Sequence, residues 1–377
     1  MVAPNRARNT FRRTDTIRVG VIGAGFGAAV HIPALHFLPE TEVVAVCARR
    51  PERAHLVAAQ HRIPTAVADY REIIRNPAID AVVIATPPYL HHSMAIAALE
   101  AGKHILCEKP MARNLAETRD MVKIAAQARV VAMVNHEFRF MPARARAKEL
   151  IDEGYLGEPR SASLVVFRSN LSDPNDTPFG WLMEQDKAGG MLGAAGSHHI
   201  DALRWWYGEV KGVTGATATM VKRRRLADST GTAPVDADDT FAFILRFVNG
   251  AIATVHFTAT GARDGGEHIT LSGSEGMLIM QDDGRLYGAR RHEPYITDMP
   301  IPDRLLGGVP TFDHPLTAPT VRLLREWVRA IRTGVTGTPS FADGAKVQEI
   351  LDGVSRSSHQ GRWIDVSGAR FGIGGIA

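Results

Sequence analysis

The sequence predicts two domains: an α/β domain on a doubly wound parallel sheet, followed by an α+β domain with an open, largely antiparallel sheet. First, a chain of 377 residues is too long for one ordinary core. Second, apolar strands alternate with amphipathic helices up to about residue 135, which is typical of a parallel sheet covered on both faces. Third, the strands beyond residue 140 alternate apolar and polar residues, which indicates one covered face.

In chain order, a basic tail over residues 1–16, which we expect to be disordered, precedes a first domain over 17–138. The predicted strands of this domain span 17–23, 42–47, 81–86, 104–107 and 130–135, and its clearest helices span 51–61, 91–101 and 116–128. The second domain, 139–377, begins with a helix over 142–153. Its strands span 160–168, 239–248, 251–260 and 268–272, and its other helices span 197–207, 321–332 and 344–355. Asn249 and Gly250 predict a two-residue hairpin.

The composition is that of a soluble globular protein, with 45% hydrophobic and 22% charged residues. The net charge of +4 is spread thinly, and no basic stripe with interleaved aromatic residues predicts a nucleic-acid partner. No apolar run is long enough to span a membrane. Cys47 and Cys107 lack metal-ligand spacing, so we expect buried thiols, no metal site and a cytoplasmic protein.

A glycine-rich turn follows the first strand and begins a helix. The run from Gly23 to Ala28 fits the pattern G-x-G-x-x-[G/A], which in this context binds the pyrophosphate of a dinucleotide. Gly23 permits the tight turn, Gly25 lets backbone amides approach the phosphates, and Ala28 permits close packing of helix on strand. Phe26 and Gly27 complete the predicted contact. The alternative is a strand–helix turn without a ligand.

The second strand ends without the carboxylate that NAD-selective domains use to bind the ribose 2′-hydroxyl. Arg49 and Arg50 follow it instead. Because a guanidinium pairs with a 2′-phosphate, Arg49, with Arg50 in reserve, predicts NADP as the cofactor, with NAD possible. The alternative is that both arginines are exposed side chains at the start of the next helix.

Thr86, Pro87 and His91 follow the central strand at the carboxyl edge of the predicted sheet, where open α/β sheets bind ligands. We expect them to lie under the nicotinamide half of the cofactor. The alternative is a strand end that is punctuated by prolines.

A polar segment follows the last strand of the first domain, at the crossover into the second. It contains Asn135, a cofactor candidate, and His136 and Arg139, which are substrate candidates, with Glu137 between them. Polar residues at such a crossover line interdomain clefts, which often bind small molecules. The alternative is a hydrogen-bonded hinge.

Lys109 is the principal catalytic candidate, because it follows the strand over 104–107 at the same edge. Beside a cationic nicotinamide, an ammonium is disfavoured because like charges repel. A neutral amine there takes the proton of a substrate alcohol as hydride leaves the same carbon. The alternative is a surface lysine after a strand.

A glycine-rich run over 189–196 precedes a predicted helix with Ser197 as its N-cap. His198, His199 and Asp201 in this helix are substrate candidates. His198 and Asp201 are three residues apart, hence on one helical face, whereas His199 points about 100° away. A histidine with a carboxylate partner acts as a positioned donor or acid/base. The alternative is a capping or core histidine.

With these residues in hand, the chain resembles the Gfo/Idh/MocA family of oxidoreductases from residue 17 to about residue 366. The marks are the glycine turn, the run Glu108-Lys109-Pro110, and Gly189-Gly190 followed by His198 and Asp201. The resemblance implies a Rossmann domain, a second domain whose sheet forms homodimers or homotetramers, and hydride transfer between NAD or NADP and a sugar, inositol or cyclic diol. It also implies that Lys109 is the acid/base, that Glu108 lies near the nicotinamide ribose, and that His198 belongs to the site.

One position departs from the family pattern, because Ala194 stands where the common catalytic aspartate falls. We therefore predict a pair of Lys109 and His198 in place of a three-residue site. A redox-neutral glycosidase that uses bound NAD and a cofactor-sensing binding protein stay open as alternatives. Substrate specificity is expected from the loops over 170–184 and 290–311. Trp181 in the first of these is a candidate substrate contact, or else a buried aromatic residue.

Overall fold

The computed structural model describes residues 15–228 and 230–367, so most of the tail predicted to be disordered lies outside the described residues. The first domain is a six-stranded parallel sheet in the order β3-β2-β1-β4-β5-β6. Its strands are β1 (Ile17–Ile22), β2 (Thr41–Cys47), β3 (Thr65–Val67), β4 (Ala81–Ile84), β5 (His104–Cys107) and β6 (Ala132–Val134). The strand order reverses between β1 and β4, which opens a crevice at their carboxyl ends.

Helices follow the strands of this sheet and cover it. They are α1 (Ile32–Phe37), α2 (Pro51–His61), α3 (Tyr70–Arg75), α4 (His91–Glu100) and α5 (Leu115–Ala128). Strands β4 and β5 are buried at every position, which explains why they are apolar throughout. The sequence prediction of a doubly wound α/β domain is confirmed.

The second domain is a nine-stranded sheet in the order β16-β15-β14-β13-β7-β12-β11-β8-β17. Its strands are β7 (Pro159–Phe167), β8 (Val210–Ala218), β11 (Thr240–Phe247), β12 (Ile252–Thr258), β13 (Gly266–Gly273), β14 (Gly276–Gln281), β15 (Leu286–Arg290), β16 (Thr297–Asp298) and β17 (Ile364–Asp365). Strands β9 (Arg223–Arg225) and β10 (Thr232–Pro234) pair separately. Neighbouring strands of the large sheet are antiparallel except β7 and β12, so the prediction of a largely antiparallel sheet is confirmed.

Local sequence signals account for much of this second sheet. Asn249 and Gly250 connect β11 to its antiparallel partner β12, and Gly250 has a φ of +91°, which glycine adopts at little cost. Along β11, buried and exposed residues alternate, as expected for a sheet with one covered face. The helices of this part of the chain are α6 (Pro142–Asp152), α7 (Ser197–Tyr207), α8 (Asp303–Leu306), α9 (Thr317–Thr333) and α10 (Phe341–Gln360).

Helix α9 belongs to the core of the first domain although it lies late in the chain. Leu324 and Trp327 are fully buried in the same cluster as Ile17 and Val19 of β1. The Trp327 indole also donates to the carbonyl of Ile105 in β5 at 3.1 Å. The predicted boundary after residue 138 assigns α9 to the second domain, although α9 packs in the core of the first domain. In the described ranges, no helix is both long and apolar enough to cross a membrane.

Candidate active site

The sequence-predicted residues of the first domain meet at one edge of the parallel sheet. Gly23, Thr86, Glu108 and Asn135 follow β1, β4, β5 and β6, which are neighbours in the sheet. Backbone hydrogen bonds fix this edge: Glu108 N donates to the carbonyl of Ile84 at 2.9 Å, and Asn135 N donates to that of Cys107 at 2.7 Å. The carboxyl ends of four strands thus present their loops side by side.

The glycine turn fits a dinucleotide pyrophosphate. Gly23 has a φ of +120°, and a Cβ there would lie 2.3 Å from the Ala85 carbonyl oxygen, so only glycine fits. A Cβ at Gly25 would meet nothing within 4 Å, which leaves open space beside the turn. Gly27 and Ala28 then pack close to the sheet and begin a helical stretch, in which the amides of Ala28 and Ala29 both donate to the Gly25 carbonyl at 3.1 Å. The N-terminal end of a helical stretch attracts anions such as a phosphate.

Phe26 in the glycine turn lies against two histidines. Its ring is edge-on to those of His31 and His314, each with centroids 5.6 Å apart. The side chain of Phe26 is partly buried, so it shapes the turn through packing.

The arginines after β2 are exposed, as both sequence interpretations allow. Arg49 and Arg50 precede α2, and Arg50 is its N-cap residue. Arg53, one turn into α2, donates from Nη2 to the carbonyl of Ala24 at 3.2 Å and so ties this helix to the glycine turn. Arg53 was not predicted from the sequence, because its contact joins residues that are 29 positions apart.

His91 does not line the cofactor site as predicted. The side chain is fully buried, with Nδ1 at 3.1 Å from the Pro110 carbonyl and Nε2 at 2.7 Å from the Thr86 carbonyl. Both ring nitrogens are engaged with backbone, so the ring has no polar atom left for a cofactor. His91 instead holds the loop of Thr86 and Pro87 against the loop that carries Lys109.

Lys109 reaches across from the first domain to the second. Its side chain is partly buried, and Nζ donates to the carbonyl oxygen of Ala194 at 3.0 Å. Ala194 lies in a π-helical turn, Leu192–Gly196, directly before α7. The amine therefore lies where the two domains meet, at the carboxyl edge of the parallel sheet, as the sequence analysis expected.

Glu108, beside Lys109, is an enclosed and well-bonded carboxylate. Oε1 lies 2.7 Å from His31 Nε2 and accepts a hydrogen bond of 2.7 Å from Asn135 Nδ2, while Oε2 accepts from the backbone amide of Lys109 at 3.2 Å. Burial acts to raise the pKa of Glu108, but the bond and charge of His31, with Lys109 and Asn135, hold it below its ordinary value. His31 was missed because nothing local in the sequence links it to a residue 77 positions away.

The predicted pairing of His198 with Asp201 is wrong. Both oxygens of Asp201 accept from the Arg139 guanidinium, at 2.7 Å and 2.6 Å. The side chains of Arg139, His198 and Asp201 are all buried. Arg139 also lies 3.5 Å from Asp343, so its charge is committed to two carboxylates. Arg139 and Asp201 therefore form a buried structural ion pair that ties the segment after β6 to α7, which corrects their prediction as substrate contacts.

The start of α7 also differs from the prediction. The helical turn Leu192–Gly196 runs directly into α7, so Ser197 lies inside a continuous helix and is not its N-cap. Within the described residues, the Ser197 hydroxyl has no hydrogen-bond partner. The part of the glycine run from residue 191 onward thus belongs to the helix, and only Gly189 and Gly190 precede it.

The remaining substrate candidates divide. His199 is a core residue: its ring packs near Phe138 and Phe257, and burial lowers its pKa to about 4, so it is neutral. His136 is buried, with its ring centroid 5.8 Å from that of His198, so it lies beside the catalytic candidate His198. Trp181 lies partly buried in a turn whose carbonyls crowd Gly189, and its role stays a prediction.

A cavity of about 880 Å³ borders the Lys109 loop from the side of α10. Pro110 and Gly193, the neighbours of Lys109 and Ala194, line it together with polar residues of α10. Lys109 and His198 are not among the residues that line it. In the two described stretches, no group of three or more histidine, cysteine or acidic residues is arranged to hold a metal ion.

Both halves of the chain match family models. Residues 17–136 match the model described as oxidoreductase family, NAD-binding Rossmann fold, and residues 145–279 match the GFO/IDH/MocA C-terminal domain. An oxidoreductase from Synechocystis, itself without a characterised activity, is 32% identical over 94% of this chain and 97% of its own length. Levoglucosan dehydrogenase from Pseudarthrobacter phenanthrenivorans is 33% identical over 93% of this chain and 98% of its own length.

Solved structures agree with these sequence matches. Levoglucosan dehydrogenase in complex with NADH and levoglucosan superimposes with a TM-score of 0.86 at 31% identity, over 93% of this chain and 99% of that one. Among the sequence relatives, a 1,5-anhydro-D-fructose reductase from Ensifer adhaerens is 33% identical over 70% of this chain and 75% of its own length. The similarity thus covers both domains and the residues between them.

Proposed function

This chain belongs to the Gfo/Idh/MocA oxidoreductase family, and from that premise we propose that it interconverts a secondary alcohol and its ketone on a sugar, inositol or cyclic diol. The chain is an NAD-binding oxidoreductase with the family's two domains. The hydrogen bond from Lys109 Nζ to Ala194 O carries the proposal, because it holds an amine at the junction of the domains.

The chemistry divides between cofactor and protein. The nicotinamide, when bound, supplies the carbon that accepts or returns a hydride. Oxidation of an alcohol also releases the hydroxyl proton, which Lys109 Nζ takes up, and reduction of a ketone draws a proton from the same nitrogen. The Ala194 carbonyl aims Nζ toward the second domain, and His198 orients the hydroxyl. The glycine turn would hold the pyrophosphate, with Glu108 and Asn135 bordering the nicotinamide half.

We propose a preference for NADP over NAD. The support is the end of β2, where the exposed Arg49 and Arg50 stand in place of a carboxylate. A guanidinium gains a charge-assisted contact only with the 2′-phosphate. We expect kcat/KM to be higher for NADP than for NAD. Arg49→Ala should lower the ratio of kcat/KM with NADP to kcat/KM with NAD about tenfold, with the kinetics for NAD unchanged. Arg71→Ala, at another exposed arginine, is the matched control. A ratio that favours NAD in the wild type contradicts the preference.

The names of two relatives suggest where to look for the substrate. Levoglucosan and 1,5-anhydro-D-fructose are anhydro sugars, so these compounds, inositols and cyclic diols form the first panel, together with aryl glycosides that carry an aglycone. The protein is incubated with each compound and either cofactor, and absorbance of the reduced nicotinamide is followed. Net reduction of the cofactor supports the dehydrogenase. Release of an aglycone without net reduction supports the redox-neutral glycosidase, and binding of the cofactor with neither product supports a sensor.

We also propose a homodimer or homotetramer through the open face of the nine-stranded sheet. The apolar side chains of Phe167, Ile244 and Ile252 are 37%, 37% and 46% exposed there, on adjacent strands β7, β12 and β11. Paired sheets would remove this surface from water. Analytical ultracentrifugation tests the assembly, with Ile244→Glu as the variant expected to dissociate it. A monomeric wild type at micromolar concentration contradicts it.

A further inference from the structure

Glu137 is a buried carboxyl with incomplete hydrogen bonding. Its side chain is 0% exposed. Oε2 accepts a hydrogen bond of 3.2 Å from Asn135 Nδ2, whereas Oε1 has no hydrogen-bond partner in the part of the chain that the structure describes. Burial without compensating donors penalises the charged form of a carboxyl. The environment therefore favours a protonated, neutral Glu137.

The unbonded oxygen of Glu137 faces His198. Oε1 lies 3.6 Å from His198 Nε2. The Phe138 ring stacks on the imidazole, with centroids 3.8 Å apart and planes 8° from parallel, which fixes the orientation of the ring. Among the described residues, His198 Nδ1 has no partner. The imidazole thus has one nitrogen toward a titratable carboxyl and the other available for a ligand.

Burial and the surrounding charges favour the neutral forms of both Glu137 and His198. Burial first, and then the charge of Glu108, raise the pKa of Glu137 to about 8. Burial first, and then Lys109 and other cations, hold the pKa of His198 well below its ordinary value. The charged and titratable groups that face the pair are Glu108, Lys109, His136, Arg144 and His199. His198 therefore stays neutral and carries one N–H.

The protonation of Glu137 decides where that N–H lies. Oε1 and Nε2 are 3.6 Å apart, beyond hydrogen-bond distance, so Glu137 acts on the imidazole through its charge and dipole. A negative Glu137 attracts the imidazole hydrogen to Nε2, which leaves Nδ1 as an acceptor. A protonated Glu137 lacks this attraction and can present its O–H toward Nε2, which favours the hydrogen on Nδ1 and makes Nδ1 a donor. One proton on a residue that does not touch the ligand thus reverses the hydrogen-bonding role of the opposite nitrogen.

We propose that Glu137 is a positioning residue that sets the tautomer of His198 and so decides whether His198 Nδ1 donates to or accepts from the substrate oxygen. This inference rests on the proposed function, because it needs His198 to reach the substrate. The protonated form of Glu137 suits both directions, because Nδ1–H then donates to the alcohol or ketone oxygen while Lys109 exchanges the proton. An ionised Glu137 makes Nδ1 an acceptor that competes with Lys109 for the single hydroxyl hydrogen.

The test begins with a readout that does not depend on turnover. The ring ¹⁵N resonances of His198, assigned through their loss in His198→Asn, are followed from pH 6 to 10 in the cofactor-free full chain. In the wild type we expect the tautomer to change with a midpoint near the Glu137 pKa of about 8. Glu137→Gln removes the titrating group while keeping its shape, so the change should vanish. Glu137→Asp keeps a carboxyl and should retain the change at a displaced midpoint.

Kinetics supply the second arm. In the wild type, kcat for oxidation should fall about tenfold per pH unit above the midpoint, because each unit is a tenfold change in protonated carboxyl. Glu137→Gln should lose this inflection with KM within about twofold, and Glu137→Asp should recover it. An identical His198 tautomer profile in wild type and Glu137→Gln, with both folded by circular dichroism, overturns the inference. Absence of turnover in the wild type counts against the proposed function, and the resonances then still decide the role of Glu137.

Discussion

Two carboxyl groups lie at adjacent strand ends of the first domain, and their surroundings differ. Glu108 after β5 has His31, the Asn135 amide and the Lys109 backbone amide within hydrogen-bond distance. Glu137 after β6 shares the same Asn135 amide, at the longer distance of 3.2 Å, and in the described ranges its other oxygen has no partner. Both are buried, yet the pKa of Glu108 lies below its ordinary value and that of Glu137 is raised to about 8.

The comparison shows that the supply of donors, and not burial alone, decides which carboxyl is charged. Desolvation raises the pKa of both groups, and the donors around Glu108 overcome it. Charged Glu108 then makes ionisation of Glu137 harder still, because the second negative charge would lie beside the first. Pairs of groups whose environments separate their pKa values often mark acid–base sites.

Replacing Glu108 should have the largest effect on stability. Glu108→Gln removes the charge that His31 and Asn135 contact, and breaking such a buried network costs about 3–5 kcal/mol. Urea unfolding at pH 7 of the cofactor-free protein measures this cost. Glu100→Gln, at an exposed glutamate of α4, is the control and should change stability by less than about 0.5 kcal/mol. A loss as small as that of the control would show that the donors around Glu108 do not hold a charge.

Replacing Glu137 should have the next largest effect, with the opposite sign at high pH. Its folded pKa of about 8 lies above the ordinary 4.5, so the stability that the bound proton contributes is lost as pH rises between these values. Glu137→Gln lacks this loss, which amounts to at most about 1.4 kcal/mol per pH unit. Unfolding free energies at pH 5, 6.5 and 8 should show the variant gaining on the wild type. Parallel pH profiles for the two proteins would mean that Glu137 is already ionised.

Replacing Asn135, whose side-chain amide donates to both carboxyls, should have the smallest effect on stability. Asn135→Leu removes a buried donor from both carboxyls at similar volume, which costs about 1–3 kcal/mol. Asn170→Leu, at an exposed asparagine, is the control. Because Glu108 keeps two other contacts and Glu137 keeps none, the pKa of Glu137 should rise more, and carboxyl ¹³C resonances report both values. An equal rise for the two groups would contradict the asymmetry.

The sequence predicted most of the fold because its signals are local. The glycine turn, the apolar strands β4 and β5, and the hairpin at Asn249 depend on neighbouring residues only. The same holds for the four strand ends, since parallel strands bring their carboxyl ends to one edge. The position of Lys109 was therefore within reach of sequence reasoning.

The partners of the site residues were not predictable in this way. Asp201 was paired with His198 on helical spacing, but Arg139, 62 residues earlier, binds it instead. His31 meets Glu108 across 77 residues, and Glu137 appeared only as a polar residue of the crossover. Such contacts depend on how distant segments of the chain pack, which spacing along one helix does not encode.

The most direct test of the account is the turnover of Lys109→Met measured beside its cofactor affinity. Methionine keeps the length of the side chain and removes the amine that bonds Ala194 O at 3.0 Å. Lys123→Met, at an exposed lysine of α5, is the matched control. On a substrate identified from the panel, we expect kcat to fall by about 10²–10⁴-fold, while the Kd for the cofactor stays within about twofold of the control. Turnover within tenfold of the control, in a folded variant that binds the cofactor, would contradict the assignment of Lys109 as the group that exchanges the hydroxyl proton.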